Sequence, residues 1–149
     1  MPDQMNENAL IEVLSKLAQV DIDALHVYNQ ASKEVEDEVI RGRIEEFRSD
    51  HRKHIDILSG EIRTLGGNPP ELSRDFKGFV IEGFTALRSL TGMKAALKAL
   101  KTTEKITCRY YGEAIPKDLP DPVKDILRKH FSDEKVHLDY FDSNLHAIS

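Results

Sequence analysis

The sequence predicts an all-α fold in which four long helices pack as an antiparallel four-helix bundle. In four long segments, apolar residues recur at spacings of three and four, which is the pattern of a helix face that packs in a core. Glycine and proline residues interrupt the pattern between these segments. The chain of 149 residues is long enough for one domain with a sizeable core and too short for two ordinary ones. We therefore predict a single domain over residues 1–149.

Composition and charge limit the partners and the cellular location that we expect for this protein. The chain is 40% hydrophobic and 32% charged, as ordinary globular proteins are, and its formal net charge is -5. Because there is no basic patch, we expect neither nucleic acid nor an anionic membrane surface as a partner. No apolar run is long enough to span a bilayer, the first residues lack the features of a signal peptide, and the single cysteine excludes an internal disulfide framework. These features predict a cytoplasmic protein.

The first helix is predicted from about Asn6 to about Ala31, and Asp21 interrupts its apolar stripe at mid-helix. The stripe comprises Leu10, Val13, Leu17, Asp21, Ala24, Tyr28 and Ala31. A lone carboxylate in such a stripe more often lies at its edge and reaches solvent, since carboxylates are seldom fully buried. Asp21 is therefore a candidate functional residue only if the other helices place further ionisable residues beside it.

The second helix is predicted to follow a short connection at residues 32–34 and to end at Gly66, where glycine can cap the helix and the following prolines cannot continue it. Its stripe comprises Ile40, Ile44, Phe47, His51, His54, Leu58, Ile62 and Leu65. A single histidine on an apolar face is usually a hydrogen-bonded core residue, but His51 and His54 occupy successive core positions and both need partners in one small volume. Residues 66–76 can extend for at most about 36–40 Å, which allows a long crossover between helices 2 and 3.

The third helix is predicted from about Phe79 to about Ala114, where Ile115 and Pro116 end it. Glycines at 78, 83 and 92 weaken its first half, so a kink or a separate short helix is the alternative there. Its stripe comprises Ala86, Leu90, Met93, Leu97, Leu100, Glu104, Thr107, Tyr111 and Ala114. Glu104 is the carboxylate of this stripe and again lies at mid-core.

The fourth helix is predicted to begin with Asp121 as its N-cap and Pro122 at its first helical position, and to run to the C-terminus. The connection at residues 116–120 is short, which predicts that helices 3 and 4 are antiparallel neighbours. The stripe comprises Val123, Leu127, His130, Glu134, His137, Phe141, Leu145 and Ile148. Glu134 and His137 lie three residues apart and therefore project from one face.

The four stripes carry ionisable residues at matching levels, roughly 18–24 Å along each helix from its connecting turn, so these residues can share one layer. They are Asp21, His51, His54, Glu104, His130, Glu134 and His137. No lysine or arginine occupies the stripes at this level, so three carboxylates must be protonated, displaced or bound to metal. Carboxylate and imidazole are the donors that divalent iron, manganese or zinc accepts. The alternative is a metal-free layer in which Asp21 and Glu104 lie at the core boundary and hydrogen-bond to the histidines.

One spacing recurs between the two halves of the chain: Asp21 lies seven residues before Tyr28, and Glu104 lies seven residues before Tyr111. Two further motifs are the Glu134-Lys-Val-His137 segment and the Leu-Gly-Gly-Asn-Pro ending of helix 2. With these motifs the chain resembles the ferritin-like superfamily over nearly its whole length, including bacterioferritins and rubrerythrins, and most closely a branch of small bacterial ferritin-like bundles. The resemblance implies a di-iron carboxylate site in which helices 1 and 3 each provide a carboxylate and helices 2 and 4 each provide a Glu-x-x-His motif.

The resemblance also implies which residues hold metal and what they do. The implied ligands of two iron ions, with zinc or manganese as alternatives, are Asp21, His51, His54, Glu104, Glu134 and His137. The implied activity is oxidation of ferrous iron, with dioxygen or peroxide as the oxidant. Beside the ligands we place His130, Tyr28 and Tyr111, and the tyrosines have an alternative explanation as core aromatics with a satisfied hydroxyl.

Two positions depart from the ferritin-like pattern. Asp21 stands where glutamate is usual, and His51 replaces the helix 2 glutamate that would bridge two ions. Three carboxylates supply less charge than two divalent ions carry, so a histidine-rich dinuclear site, a single-ion site and a zinc site all fit. A non-catalytic helical stress or interaction module, with a structural metal or none, is the alternative function, and a di-metal oxidase of an organic substrate is a third. A homodimer is among the assemblies that such a bundle can form.

Overall fold

The structure is a computed structural model, and it describes residues 5–71, 77–89 and 92–148. Within these ranges the protein is all α, without a strand. The α-helices are α1 (Glu7–Ala31), α2 (Glu38–Thr64), α3 (Ile81–Ser89), α4 (Gly92–Ala114) and α5 (Asp121–Ala147). A short 3-10 helix, Ser32–Glu34, follows α1. None of the helices in this described part of the chain has both the length and the apolarity that crossing a membrane requires.

The third predicted helix is divided into two. One helix is predicted over residues 79–114, whereas α3 ends at Ser89 and α4 begins at Gly92. Gly92 adopts a φ of +68°, a left-handed conformation that favours glycine and interrupts a right-handed helix. Leu90, which was assigned to the predicted stripe, lies outside the described residues. The described part of the chain therefore has five α-helices rather than four, and the long ones are α1, α2, α4 and α5.

Caps set the ends of the long helices. Asn6 and Asp37 each accept a hydrogen bond from the amide three residues further on, at 2.8 and 3.0 Å, and so begin α1 and α2. Gly66, at a φ of +86°, follows the end of α2. The start of α5 differs from the prediction by one residue, because Pro120 is the N-cap. Asp121 lies in the first turn, where a carboxylate interacts favourably with the helix dipole.

The described residues at both ends of the connection between α2 and α3 lie against α1. The connection begins beside Ile11, since a Cβ added to Gly67 would lie 3.0 Å from the Ile11 side chain. At Lys77 the connection has reached Asp23, about 18 Å further along α1 at 1.5 Å per residue. The buried Asp23 carboxylate accepts a hydrogen bond from the Lys77 amide at 3.0 Å. Residues 72–76 of the predicted crossover lie outside the described residues, so a crossing from one end to the other stays a prediction.

Two apolar clusters lie on either side of a buried polar layer. One cluster includes Val27, Ile44, Phe47, Leu97, Leu100 and Phe141. The other includes Leu14, Leu17, Leu58, Ile62 and Leu127. α1 packs against α2 and α4, and α4 packs against α3 and α5. On each long helix the polar residues fall, in sequence, between the members of the two clusters, so the layer lies in the middle of the core.

Candidate metal centre

The polar layer is built from the middle of the four long helices. Its members are Asp21 on α1, His51 and His54 on α2, Glu104 on α4, and Glu134 and His137 on α5. All six predicted ligands are in this layer, and none is more than 2% exposed. Each stands on the apolar stripe of its helix, which is why the helical period brings the six together.

The six side chains form two overlapping donor groups. The first, group A, comprises Asp21, His51, His54 and Glu134. The second, group B, comprises His51, Glu104, Glu134 and His137. Within each group, one nitrogen or oxygen of every residue lies within 4.8 Å of those of the others. His51 and Glu134 belong to both groups, so they lie between two positions that can hold a metal ion.

Group A is centred on inward-facing atoms of α1, α2 and α5. Nδ1 of His51 lies 2.7 Å from Oδ1 of Asp21. Nδ1 of His54 lies 3.3 Å from the same oxygen and 2.9 Å from Oε1 of Glu134. Oε1 of Glu134 is buried, and its contact with the His54 ring is an ion pair that lacks hydrogen-bond geometry. This oxygen is therefore free to accept a bond from a metal ion.

Group B is centred on α4 and α5. Nε2 of His51 lies 2.8 Å from Oε1 of Glu104 and 3.5 Å from Oε2 of Glu134. Nδ1 of His137 lies 3.2 Å from Oε2 of Glu104 and 3.6 Å from Oε2 of Glu134. Thr107 donates a hydrogen bond from its hydroxyl to the same Glu134 oxygen at 3.0 Å. The two oxygens of Glu134 therefore face different groups, as the two nitrogens of His51 do.

The donors fit a divalent ion in both chemistry and spacing. Nitrogen and oxygen ligands lie roughly 2.0–2.2 Å from a tetrahedral ion such as zinc, so two of them stand about 3.4 Å apart. The donor atoms of group A lie 2.7–3.3 Å from their neighbours and those of group B 2.8–3.6 Å, so small outward movements would admit an ion. The Glu134 oxygen that lacks a hydrogen bond is one of the donors, and a bound ion would satisfy it.

Two aspartates outside the predicted set contact the histidines from the far side. Nε2 of His54 lies 2.9 Å from Oδ2 of Asp133, and Nε2 of His137 lies 2.8 Å from Oδ2 of Asp50. Because Nε2 is engaged in this way, Nδ1 of each ring is directed into its donor group. A carboxylate on the outer nitrogen sets the tautomer and orientation of a histidine ligand. Asp50 lies beside the stripe of α2 and not on it, and its contact with His137 is a finding of the structure.

A repeat in the sequence is the signal that could have identified these aspartates. Residues 50–54 read Asp-His-x-x-His, and residues 133–137 read Asp-Glu-x-x-His. The aspartate of each repeat contacts the last histidine of the other. The tyrosines show the same exchange, since the hydroxyl of Tyr28 donates to Glu104 at 2.9 Å and that of Tyr111 donates to Asp21 at 2.6 Å. Both tyrosines are fully buried with a satisfied hydroxyl.

His130 and Cys108 lie near the layer but in neither donor group. The His130 ring stacks on that of His54, with centroids 3.9 Å apart, and its Nδ1 lies 3.1 Å from the Tyr111 hydroxyl. Burial and the nearby charge of His54 lower the pKa of His130 to about 4, so its ring is neutral. His130 therefore supports the His54 ring from the side, and its Nε2 is buried without a hydrogen bond.

The buried histidines of the layer can carry positive charge. Burial alone would lower the pKa of His51, but the charges of Glu134 and Glu104 outweigh it and raise that pKa to about 10. Burial acts to raise the pKa of Glu104, and the charge of His51 holds it well below its ordinary range. Lysine and arginine are absent from the stripes, but protonated histidine can take their place as the cation.

The other two inner histidines behave in the same way. Against the effect of burial, the hydrogen bond to Asp133 raises the pKa of His54 to about 12. Against the same effect, the charge of Glu104 raises the pKa of His137 to about 11. The layer can therefore be neutralised by protons on its own rings or by bound cations, and these two occupants compete for the same nitrogens.

Comparison with known proteins identifies the family of the chain. No curated protein matches the chain. Residues 9–117 match the family described as "Domain of unknown function (DUF2383)". The match includes the layer residues of α1, α2 and α4, whereas Glu134 and His137 lie beyond it. Because the match covers more than half of its length, the chain belongs to this family of domains of unknown function, DUF2383.

Proposed function

We propose that the protein is a ferritin-like four-helix bundle that binds two divalent metal ions, with iron as the working metal. The observation that carries the proposal is the pair of overlapping donor groups at the centre of four long helices. Each group offers two carboxylates and two imidazoles, a donor set that divalent iron accepts. Ligands on facing helices of a bundle are the way in which ferritin-like proteins build such sites.

The outer aspartates improve the charge balance of this proposal. The three inner carboxylates alone would leave two divalent ions with excess positive charge. Asp50 and Asp133 each hydrogen-bond to a ligand histidine and add two negative charges at the edge of the layer. Lys129 offsets part of this by pairing with Asp133. The histidine at position 51 therefore does not leave the site short of negative charge.

We further propose that the protein oxidises ferrous iron with dioxygen or peroxide. Bound ferrous ions supply the electrons for this reaction. Asp21, His51, His54 and Glu134 would hold one ion, and His51, Glu104, Glu134 and His137 would hold the other. The bound ions would then supply the site at which the oxidant reacts. Apolar clusters on both sides of the layer exclude bulk water. A surface cavity of about 420 Å³ is lined by residues that include Asp50 and Phe47, and these two side chains contact the buried His137 ring from the outside.

The first test is the metal content of protein purified without a chelator or an affinity tag. We expect about two metal ions per chain, one for each donor group. The double variant Glu104→Ala, Glu134→Ala removes a ligand from both groups and should lose the metal. The matched control is Glu113→Ala, Asp139→Ala, which removes exposed carboxylates from the same two helices and should keep both ions.

The second test is oxidation of ferrous iron, added without oxygen and then exposed to air. We expect dioxygen uptake and ferric absorbance to develop faster with the parent and the surface control than with the double variant. About one ion per chain would replace the two-ion proposal with a single-ion site. A parent without metal, together with a double variant of equal stability, would contradict the proposal as a whole.

The alternative function is a non-catalytic helical module in which the layer is an ionic core without metal. One observation favours it, because the protonated rings of His51, His54 and His137 can neutralise the inner carboxylates by themselves. Chelation separates the two functions. It abolishes ferrous oxidation and lowers the thermal unfolding midpoint of a metal protein, and it changes neither property of a metal-free ionic core.

A further inference from the structure

We propose that His51 bridges the two metal ions through both of its ring nitrogens, as an imidazolate. The inference rests on the proposed function and on the position of this one ring. Nδ1 of His51 faces group A, 2.7 Å from Asp21, and Nε2 faces group B, 2.8 Å from Glu104. His54 and His137 cannot bridge in this way, because an aspartate outside the donor groups holds Nε2 of each.

Glu134 has the matching position on the opposite side of the layer. It lies three residues before His137 on α5, as His51 lies three residues before His54 on α2. Its Oε1 is 2.9 Å from Nδ1 of His54 in group A, and its Oε2 is 3.6 Å from Nδ1 of His137 in group B. His51 and Glu134 are the members shared by both groups, one through two nitrogens and the other through two oxygens.

The chemistry of imidazole shows what a bridge requires. A neutral ring has one N–H and one lone pair in its plane, so it binds a single ion. To bind two ions, the ring must release the N–H proton to solvent, and the resulting anion offers a lone pair at each nitrogen. That anion carries one negative charge, as a glutamate does. A bridging His51 would therefore hold the two ions with the same charge as the bridging glutamate of the ferritin-like pattern.

The bridge also has a geometric consequence for the site. The lone pairs of an imidazolate point away from opposite edges of the ring, whereas those of a carboxylate can converge. Groups A and B contact the two nitrogens at opposite edges of the His51 ring, so each nitrogen would face its own ion.

The test uses zinc alone as the probe and nitrogen-15 NMR of protein with labelled histidine. In the protein with two zinc ions, we expect one ring in which both nitrogens are metal-bound and neither carries a proton. The His51→Gln variant should lack the signals of this ring. His54 and His137 should each keep a proton on Nε2. The control His146→Gln removes an exposed histidine near the end of α5 that lies in neither donor group, and it should leave the bridging signals in place.

Zinc affinity gives a second readout. His51→Gln removes a ligand from both ions, and we expect the second zinc ion to bind at least about tenfold more weakly. His51→Glu supplies two oxygens in place of two nitrogens, and we expect it to keep two zinc ions per chain. If His51 acted only by packing, a charged glutamate in this buried layer would not restore the binding of two zinc ions.

The outcomes separate the bridge from the proposed function. A His51 ring that keeps one N–H in the two-zinc protein overturns the bridge and leaves the two-ion site standing. Two zinc ions bound by His51→Gln as tightly as by the parent would also overturn it. Failure of the parent to bind two zinc ions would overturn the bridge, and the metal content and ferrous oxidation of the parent decide the proposed function separately.

Discussion

The ring of a histidine has two nitrogens, and the group that one nitrogen contacts determines whether the other carries a proton or can bind a metal ion. His54 and His137 each place Nε2 against an aspartate, at 2.9 and 2.8 Å, and Nδ1 inside a donor group. The side chains of Asp133 and Asp50 are 23% and 34% exposed, so they contact the rings from the rim of the layer. Loss of either carboxylate would free its ring to rotate and make Nδ1 a weaker base.

This arrangement predicts that the outer aspartates contribute to metal affinity without touching the metal. In Asp50→Ala and in Asp133→Ala, we expect zinc to bind ~10–100-fold more weakly, because the partner histidine is no longer oriented. The measurement is competition against a chelator of known affinity, with circular dichroism to check helix content. Asp139→Ala, an exposed aspartate on α5, is the control and should change the affinity less than twofold. Unchanged affinity in both rim variants would mean that Nδ1 of these rings does not bind the metal.

The same residues show how far a sequence can predict this site. All six layer residues were found because a stripe at helical spacing places them on one face, and equal distances from the turns place them at one level. Asp50 and Asp133 were missed because each precedes a stripe residue by one position and therefore points about 100° away. Their partners are on a different helix, and only the packing of α2 beside α5 reveals the contact.

At the scale of elements, Gly83 sets how closely α3 approaches α4. A Cβ at this position would lie 2.1 Å from Oγ1 of Thr103 and 3.3 Å from the backbone oxygen of Ala99. Thr103 is buried and the Ala99 oxygen belongs to the helix backbone, so neither can move far. Because Thr103 precedes Glu104, the position of α3 also bears on the helix that carries a predicted ligand.

Two glycine substitutions should therefore have opposite effects. Gly83→Ala should lower the free energy of unfolding by about 1–3 kcal/mol, because the added methyl group overpacks the α3–α4 contact. Gly42→Ala on α2 meets nothing within 4 Å and should raise it by about 0.5–1 kcal/mol, because alanine loses less backbone entropy than glycine in a helix. Urea unfolding in the presence of a chelator measures both. A Gly83→Ala variant as stable as the parent would contradict the close approach.

The helix boundaries could be predicted where a local signal decides them. Asn6 at the start of α1 and Gly66 after α2 act through their own side chain or backbone conformation, and both are in the structure as predicted. The division between α3 and α4 was predicted only as an alternative to one long helix. Several glycines weaken this part of the helix, and their positions alone do not determine which of them ends it. The close contact of Gly83 with α4 depends on tertiary packing and has no signal in the local sequence.

At the scale of the whole molecule, the buried layer links folding to both protons and metal. In the presence of a chelator, the pKa values of His51, His54 and His137, about 10, 12 and 11, keep all three rings protonated at neutral pH. A metal ion binds the unprotonated nitrogen, so binding must displace protons. The chelated protein and the zinc-loaded protein should therefore respond to pH in different ways.

The sign of each response follows from the protons bound in the folded and unfolded states. Histidines whose folded pKa lies above the unfolded value of about 6.5 stabilise the fold fully below that pH and lose this effect as the pH rises. The free energy of unfolding of the chelated protein should therefore fall between about pH 6.5 and 8.5. In the zinc-loaded protein the rings already lack these protons, so its free energy of unfolding should not fall over the same interval.

The quantity to measure is the gap between the free energies of unfolding with two equivalents of zinc and with a chelator. Subtraction removes the contribution of His130 to the free energy of unfolding, because its low pKa of about 4 keeps its ring neutral in both forms. We expect the gap to widen by at least about 1.4 kcal/mol per pH unit, the effect of one displaced proton. Glu104→Ala, Glu134→Ala should show no gap, because it lacks the zinc sites. A gap in the parent that is independent of pH would mean that the metal leaves the histidine rings unbound, and the layer would then be an ionic core in which these rings pair with Asp21, Glu104 and Glu134.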